Sequence, residues 1–206
     1  MRSPVYHFVK RLFDILIGLV GCLFLVPLAL IIKIAYLLTG DTHKILYIQP
    51  RIGKDGKVFN LYKFRSMEWQ AEEHLKDLLQ QNPDLKAEYD RNKKLIADPR
   101  ITKVGHFIRR FSIDEMPQFI NVLKGEMSLI GNRPYLTYEK RAMRKYYEDI
   151  IKTKPGITGL WQISGHNNVP FSSRIMIETQ YSEQASLSLD THIFFRTFHA
   201  VVFGGH

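Results

Sequence analysis

From Ile15 to Ile32 the chain reads ILIGLVGCLFLVPLALII, a run without one charged residue. Such a run sits at the lower limit for a helix that spans a bilayer, which needs about 20 apolar residues. It is longer than a signal-peptide core and is followed by no small-residue cleavage site, so it is expected to be retained. Burial in a soluble core is the alternative, although a helix apolar on every side is hard to wrap completely in 206 residues. Two features argue against a straight span. Pro27 deletes a backbone hydrogen bond and clashes with the preceding turn. Both flanks are basic: Arg2, Lys10 and Arg11 precede the run, and seven bases against two acids lie between Lys33 and Arg65. The positive-inside bias would keep each flank in the cytoplasm. Residues 1–40 are therefore read as a re-entrant segment that enters the membrane, breaks at Pro27 and returns, its freed backbone groups finding protein or interfacial partners. A kinked single span carries the same proline and stays open.

Residues 41–206 are expected to form one domain on the cytoplasmic face. The chain carries a net charge of +9, which points to anionic partners: nucleic acid, an acidic leaflet or phosphorylated substrates. The charge is uneven. Residues 68–98 hold eight acids against five bases, so the excess of cations lies elsewhere. Cys22 is the single cysteine; no intrachain disulfide can form, and a reducing compartment is the simpler inference.

The fold class expected is α+β, mostly helical, with a small β-hairpin and amphipathic helices at the membrane interface. Ile45 to Met67 reads as two short strands around the turn pair Asp55-Gly56. Lys63 and Arg65, two apart, would share one strand face; they are either charges guarding an edge or a pair of cations for a diphosphate. Residues 68–98 read as solvated helix, with Leu75, Leu78 and Leu79 at helical spacing and a break at Pro83. Ile101, Val104, Phe107 and Ile108 fall on one helical face beside Lys103, Arg109 and Arg110. That mix suits a helix lying in a membrane interface, and equally a packed helix with basic solvent positions.

The densest polar motif runs from Arg109 to Gln118: Arg-Arg-Phe-Ser-Ile-Asp-Glu-Met-Pro-Gln. A helix is expected to start between Ser112 and Glu115 and to stop at Gly125. Ser112, Asp114 and Glu115 could simply cap it. A helix start also favours a bound phosphate, arginines precede it, and Arg133-Pro134 follows in a glycine-bearing loop. Adjacent carboxylates among guanidiniums can divide labour, one ligating a hard cation such as Mg²⁺ and the other attacking or accepting a proton.

These motifs resemble those of the bacterial sugar transferases, the monotopic polyprenyl-phosphate phosphoglycosyltransferases. The resemblance is carried by Lys10-Arg11-Leu12-Phe13-Asp14, by Gln49-Pro50-Arg51-Ile52-Gly53 with Lys63-Phe64-Arg65-Ser66-Met67, and by Asp98-Pro99-Arg100-Ile101-Thr102. It continues through Ser112 to Gln118, Asn121 to Gly131, and Lys154-Pro155-Gly156-Ile157-Thr158-Gly159-Leu160-Trp161-Gln162-Ile163-Ser164-Gly165. The stretch between Met67 and Asp98 looks most like the galactose or hexose phosphate branch. The resemblance implies transfer of a sugar 1-phosphate from a UDP-sugar to undecaprenyl phosphate at the bacterial inner membrane, with UMP released. It implies that Asp114 is the nucleophile, Glu115 a Mg²⁺ ligand, and that Lys63, Arg65, Arg110, Arg133, Pro134, Gln162, Asn167 and Arg174 hold the substrate. Expected partners are the UDP-sugar, the polyprenyl phosphate, the membrane and a second copy of the chain as a homodimer. Nucleic acid is not expected, because no nucleic-acid motif accompanies the charge. The chain departs from the family at Asn132 (usually proline), His166 (usually arginine), Glu178 (commonly aspartate) and Val26 (usually serine before the break proline). Two other classes stay in play: a basic membrane-tethered module without catalysis, and a direct glycosyltransferase that would release UDP.

Overall fold

The computed structural model describes residues 3–164 and 170–203, with side chains described as far as residue 200. The chain opens with two helices, α1 (Pro4–Leu23) and α2 (Leu25–Leu38), then a hairpin of β1 (Leu46–Ile52) and β2 (Val58–Phe64). The acidic stretch forms α3 (Ala71–Gln81) and α4 (Pro83–Asn92), followed by α5 (Lys103–Arg110) and α6 (Gln118–Lys124). Short elements follow: β3 (Ser128–Ile130), β4 (Tyr135–Leu136), α7 (Lys140–Met143), α8 (Tyr147–Ile150), β5 (Gly156–Thr158) and α9 (Leu160–Ile163). Two longer helices close the described chain, α10 (Phe171–Gln184) and α11 (Leu187–Phe203). The fold is α+β and mostly helical, as expected.

The helix pair α1–α2 is bent by 42°, and the break falls at Phe24 rather than at Pro27. Proline disturbs the turn before it: the ring of Pro27 faces the carbonyl of Leu23, four residues back, and its missing N–H leaves that carbonyl without a helical donor. Helix α1 therefore ends at Leu23 and a new helix begins at Leu25. No single helix among the described residues is long and apolar enough to cross a membrane; the bent pair passes that test only together.

Helix α1 is docked along its length. Arg11 donates to the carbonyls of Val122 and Leu123 at the end of α6 (2.6 and 2.8 Å). Asp14 accepts from the Ser128 hydroxyl (3.0 Å) and the Leu129 N–H (2.8 Å). One and two turns further, Gly18 and Gly21 lie against Leu123 and Phe119, where a methyl group would collide with the Phe119 ring. The absence of side chains is what lets the two helices approach. The opposite stripe, Val5, Phe8, Leu12, Leu16, Leu19 and Leu23, is exposed. Helix α2 is fixed at its far end by the buried Tyr36, whose hydroxyl donates to the Arg65 carbonyl (2.6 Å), and by Ile32 packed with Phe64 and Ile108.

The hairpin forms where expected. Asp55 and Gly56 both take positive φ (56° and 74°), the geometry of the tight turn that matches strand twist, and β1 and β2 pair in antiparallel register with Tyr47 opposite Lys63. Strand β4 adds to the other edge of β1, and β3 pairs parallel with β5 in a second small sheet. Pro83 opens α4, with Asn82 as its side-chain cap. Helix α5 buries Ile108 in the core under α2 and leaves Phe107, and Phe111 just past its end, exposed.

Candidate active site

The acid pair sits on a single 3-10 turn, Ile113–Glu115, between α5 and α6. Helix α6 begins at Gln118, later than expected, and neither its start nor Ser112 makes a side-chain capping bond. The carboxylates are thus not spent as helix caps. Ser112 enters the turn at φ 54°, a left-handed conformation that costs a non-glycine residue about 1–2 kcal/mol and turns the chain sharply between the two helices.

Position is imposed from α6. The buried Asn121 amide behaves as one more rung on the free edge of β2: its oxygen accepts from Tyr62 N–H (3.1 Å), and its nitrogen donates to the Asn60 carbonyl (2.7 Å). Val122 and Met127, fully buried, pack with Phe59 and Leu61 beneath it. The next strand residue, Lys63, is thereby held against the acid turn, and its ammonium donates to Glu115 Oε1 at 2.8 Å. Lys63 is thus paired with an acid of this turn, a placement that neither reading of it, as an edge charge or as a diphosphate cation, specifies.

The two carboxyls are pushed apart. Asp114 is buried, and its pKa is raised by that burial; the Lys63 charge opposes the rise, Glu115 adds to it and Arg109 opposes it. Burial would also raise Glu115, but the Lys63 ammonium with its hydrogen bond, and then Arg133 and Arg51, outweigh it and hold this carboxyl below its ordinary value. Adjacent acids with divergent environments are the usual mark of divided roles.

A second group lies around the β3–β4 loop. Arg51 donates to the Pro134 carbonyl (2.9 Å), and its pKa is pushed down to about 10 by burial and by Arg133. Arg174, from α10, is buried over the Trp161 ring (4.4 Å) and shifted down for the same two reasons. The Nε atoms of Arg51, Arg133 and Arg174, the Tyr135 hydroxyl and Glu178 Oε1 are buried without a hydrogen-bond partner among the described residues. Buried guanidiniums that repel one another, with donors unspent, suit an anion such as a diphosphate. Glu178 sits among them, accepting from the Arg133 N–H (2.8 Å); burial lifts its pKa to about 8, against the pull of that N–H and of the Arg133 and Arg174 charges. The departure Asn132 is accommodated by its amide, which donates to the Ile150 carbonyl and the Ser182 hydroxyl (3.2 and 2.6 Å).

Glu178 carries a pH signature. Its folded pKa lies above that of the unfolded chain, so its stability contribution is complete below about pH 4.5 and is lost as pH rises towards 8. The unfolding temperature of the wild type should therefore fall over that window more steeply than that of Glu178→Gln, which removes the titration and keeps an acceptor for Arg133. Parallel slopes for the two proteins would show that Glu178 ionises normally.

Other expected residues are placed differently. Arg65 lies beyond the end of β2 and is committed to the loop after α2: it donates to the carbonyls of Lys44 and Met67 (2.8 and 2.9 Å), pairs with Asp41 (2.9 Å) and covers the Tyr36 ring. It is not brought to the acids, because the strand ends at Phe64 and the shared face with Lys63 ends with it. Arg110 is exposed beside the Phe111 ring; Arg109, tied to the Ser66 hydroxyl (2.8 Å), is the arginine whose charge reaches Asp114. Gln162 lies on α9 with its Oε1 buried and unpartnered among the described residues. Asn167 and His166 lie outside the described residues. Arg51 and Arg109 fall inside the motifs, but no local signal separates them from their neighbours.

No group of three or more potential metal-ligating side chains occurs among the described residues. The donor set nevertheless suits Mg²⁺, which is commonly held by one or two carboxylates with substrate phosphates and water: Glu115 spends one oxygen on Lys63.

A model of the bacterial sugar transferase family matches residues 5–204. The chain belongs to that family. It is 42% identical over 194 residues to an undecaprenyl-phosphate galactose phosphotransferase of Salmonella typhimurium, covering 93% of this chain and 40% of the relative. It is 41% identical over 199 residues to a UDP-galactose-lipid carrier transferase of Erwinia amylovora, covering 95% and 41%. The exopolysaccharide production protein ExoY of Rhizobium meliloti is 39% identical over 198 residues, covering 96% of this chain and 87% of that protein. The chain thus spans about two fifths of the length of the first two relatives and most of the third. The sugar transferase segment, taken alone, is what it shares with all of them.

Proposed function

We propose that this chain transfers a hexose 1-phosphate, galactose phosphate or a close relative, from a UDP-sugar to undecaprenyl phosphate, releasing UMP and starting the assembly of a polysaccharide. The observation that carries the reading is the buried Asp114 next in sequence to the Lys63-bound Glu115, the charge of Arg109 acting on Asp114 and those of Arg133 and Arg51 acting on Glu115. The named activities of the relatives support it. In the first step an Asp114 oxygen attacks the β-phosphorus, the bond from that phosphorus to the UMP phosphate oxygen breaks, and UMP leaves. In the second, a polyprenyl phosphate oxygen attacks the same phosphorus and the Asp114 carboxylate departs, giving the polyprenyl diphosphate sugar. Lys63 and the guanidiniums hold charge that builds on the departing phosphate. Glu115 would hold a Mg²⁺, whose bound charge neutralises phosphate oxygens. A panel of UDP-sugars, incubated with the full chain, Mg²⁺ and undecaprenyl phosphate, tests the reading: UMP with one hexose donor is the expected product. Release of UDP would replace it with a direct glycosyl transfer.

The site is proposed to lie on the cytoplasmic face of the bacterial inner membrane, below a re-entrant α1–α2. Both ends of the bent pair bond the same domain, Arg11 and Asp14 through residues 122–129 and Tyr36 through Arg65. A helix pair so tied has both ends on one side, while its exposed apolar stripe meets lipid. Single cysteines placed near residue 5 and near residue 44 should both label from the cytoplasmic side. Labelling of the first only from outside would leave a single span.

A further inference from the structure

A second concentration of positive charge lies apart from the acid pair and the arginine group. A cavity of about 140 Å³ is lined by Lys10 and Arg11 of α1, Lys54 of the hairpin turn, and Lys152 and Lys154 of the segment before β5, with Asp14 in its wall. That is well above the roughly 10–15 Å³ that admits one water. Two of the five cations are neutralised in place, Lys10 by Asp190 and Lys152 by Asp149 (2.6 Å each). Arg11 donates only to neutral carbonyls. Lys54 and Lys154 have no hydrogen bond or ion pair among the described residues. The lining acid, Asp14, already accepts from Ser128 and Leu129.

Three cations thus face one carboxylate, and they come from three separate segments of chain. Folding has brought like charges into a concave, partly desolvated space, where their repulsion is stronger than on an open surface. The Lys154 ammonium registers it: burial lowers its pKa first, then Arg11, with Asp14 opposing and Lys54 and Lys10 adding to the fall. An anion in the cavity would offset the repulsion among these cations.

We propose that this cavity is a second anion site that takes a phosphate group, distinct from the transfer site, supplied by an acidic phospholipid headgroup or by free phosphate. None of its lining residues belongs to the acid pair or the arginine group. It lies on the face of α1 opposite the exposed stripe Val5, Phe8 and Leu12, so a headgroup would have to reach it around the helix, whereas free phosphate would not.

The test reads binding without turnover, so it stands or falls independently of the transfer reaction. The full chain is placed in nanodiscs of phosphatidylcholine with or without phosphatidylglycerol, and retained phosphatidylglycerol is counted by native mass spectrometry. In a second arm, inorganic phosphate is titrated against the chain in phosphatidylcholine alone and thermal stabilisation is followed. Lys54→Gln, at an exposed turn position, and Lys154→Gln are compared with Lys76→Gln, an exposed lysine on α3. Each cavity substitution should weaken binding about tenfold, the loss of one hydrogen bond to a charged group, and Lys76→Gln should not. Loss in the lipid arm assigns a headgroup, and loss in the phosphate arm alone assigns the free anion. Binding insensitive to both cavity substitutions, or weakened equally by Lys76→Gln, would overturn the proposal; the former would place the phosphate at the arginine group.

Discussion

Asp114→Asn is expected to lower UMP release by roughly three orders of magnitude or more, the scale seen when a nucleophile is removed from a working site, while expression and thermal stability stay near those of the wild type. The asparagine side chain is isosteric and carries no charge to desolvate, so the buried turn should tolerate it. The proposal requires more than loss of rate. Incubated with labelled UDP-sugar and no lipid acceptor, the wild type should retain label on the protein and Asp114→Asn should not. Donor and acceptor kinetics should be of the ping-pong type, because UMP leaves before the lipid reacts. A direct transfer in a ternary complex would instead show sequential kinetics and no label after a rapid quench, and the nucleophile assignment would then fall. The environment adds a pH expectation. The attacking carboxyl must be ionised, and burial raises its pKa above the ordinary 3.8; kcat/KM should therefore decline towards acid from a point above that value, not at it.

Glu115→Gln should reduce turnover by about 10²–10³-fold, in the range for loss of one preorganised electrostatic group at a developing charge. Excess chelator should abolish it in the wild type. The two results are linked, because the same carboxylate is proposed to hold Mg²⁺ and is seen holding Lys63. If Glu115 only anchored the lysine, Glu115→Gln would still leave full dependence on added Mg²⁺, with an unchanged concentration for half-activation. If it is a ligand, that concentration should rise. Full activity in chelator would exclude the metal role altogether, leaving Lys63 and the guanidiniums to hold the charge of the phosphates. Measuring half-activation by Mg²⁺ in both proteins separates the cases.

Several features of this chain could be read from neighbouring residues because short-range physics sets them. Asp55-Gly56 makes a hairpin turn since both positions must take positive φ. Pro83 breaks the acidic helix, and Gly125 ends α6 at φ 78°. The acid pair stands out for the same reason: two adjacent carboxylates between arginines and a proline form a local pattern, whatever surrounds them.

Tertiary structure decided what those residues do. The sequence placed Lys63 and Arg65 side by side on a strand, yet only the point at which β2 stops, with Tyr36 and Asp41 arriving from α2 and the loop after it, separates their fates. Arg109 and Arg110 are indistinguishable in sequence; the rotation of α5, set by burying Ile108 under α2, ties Arg109 to the Ser66 hydroxyl, where its charge acts on Asp114, and leaves Arg110 beside the Phe111 ring. Arg51, Arg133 and Arg174 lie far apart along the chain; that Arg51 meets the β3–β4 loop and that Arg133 and Arg174 act on Glu178 depends on how the hairpin, that loop and α10 pack together. The break in the N-terminal segment was legible as a proline, but its place at Phe24 follows from which carbonyl the ring opposes. The docking of α1 rests on Gly18, Gly21 and Asp14 meeting residues about a hundred positions away, and that of α2 on Tyr36 reaching Arg65. Periodicity and capping act within a few residues, whereas charge pairing and close packing act through space.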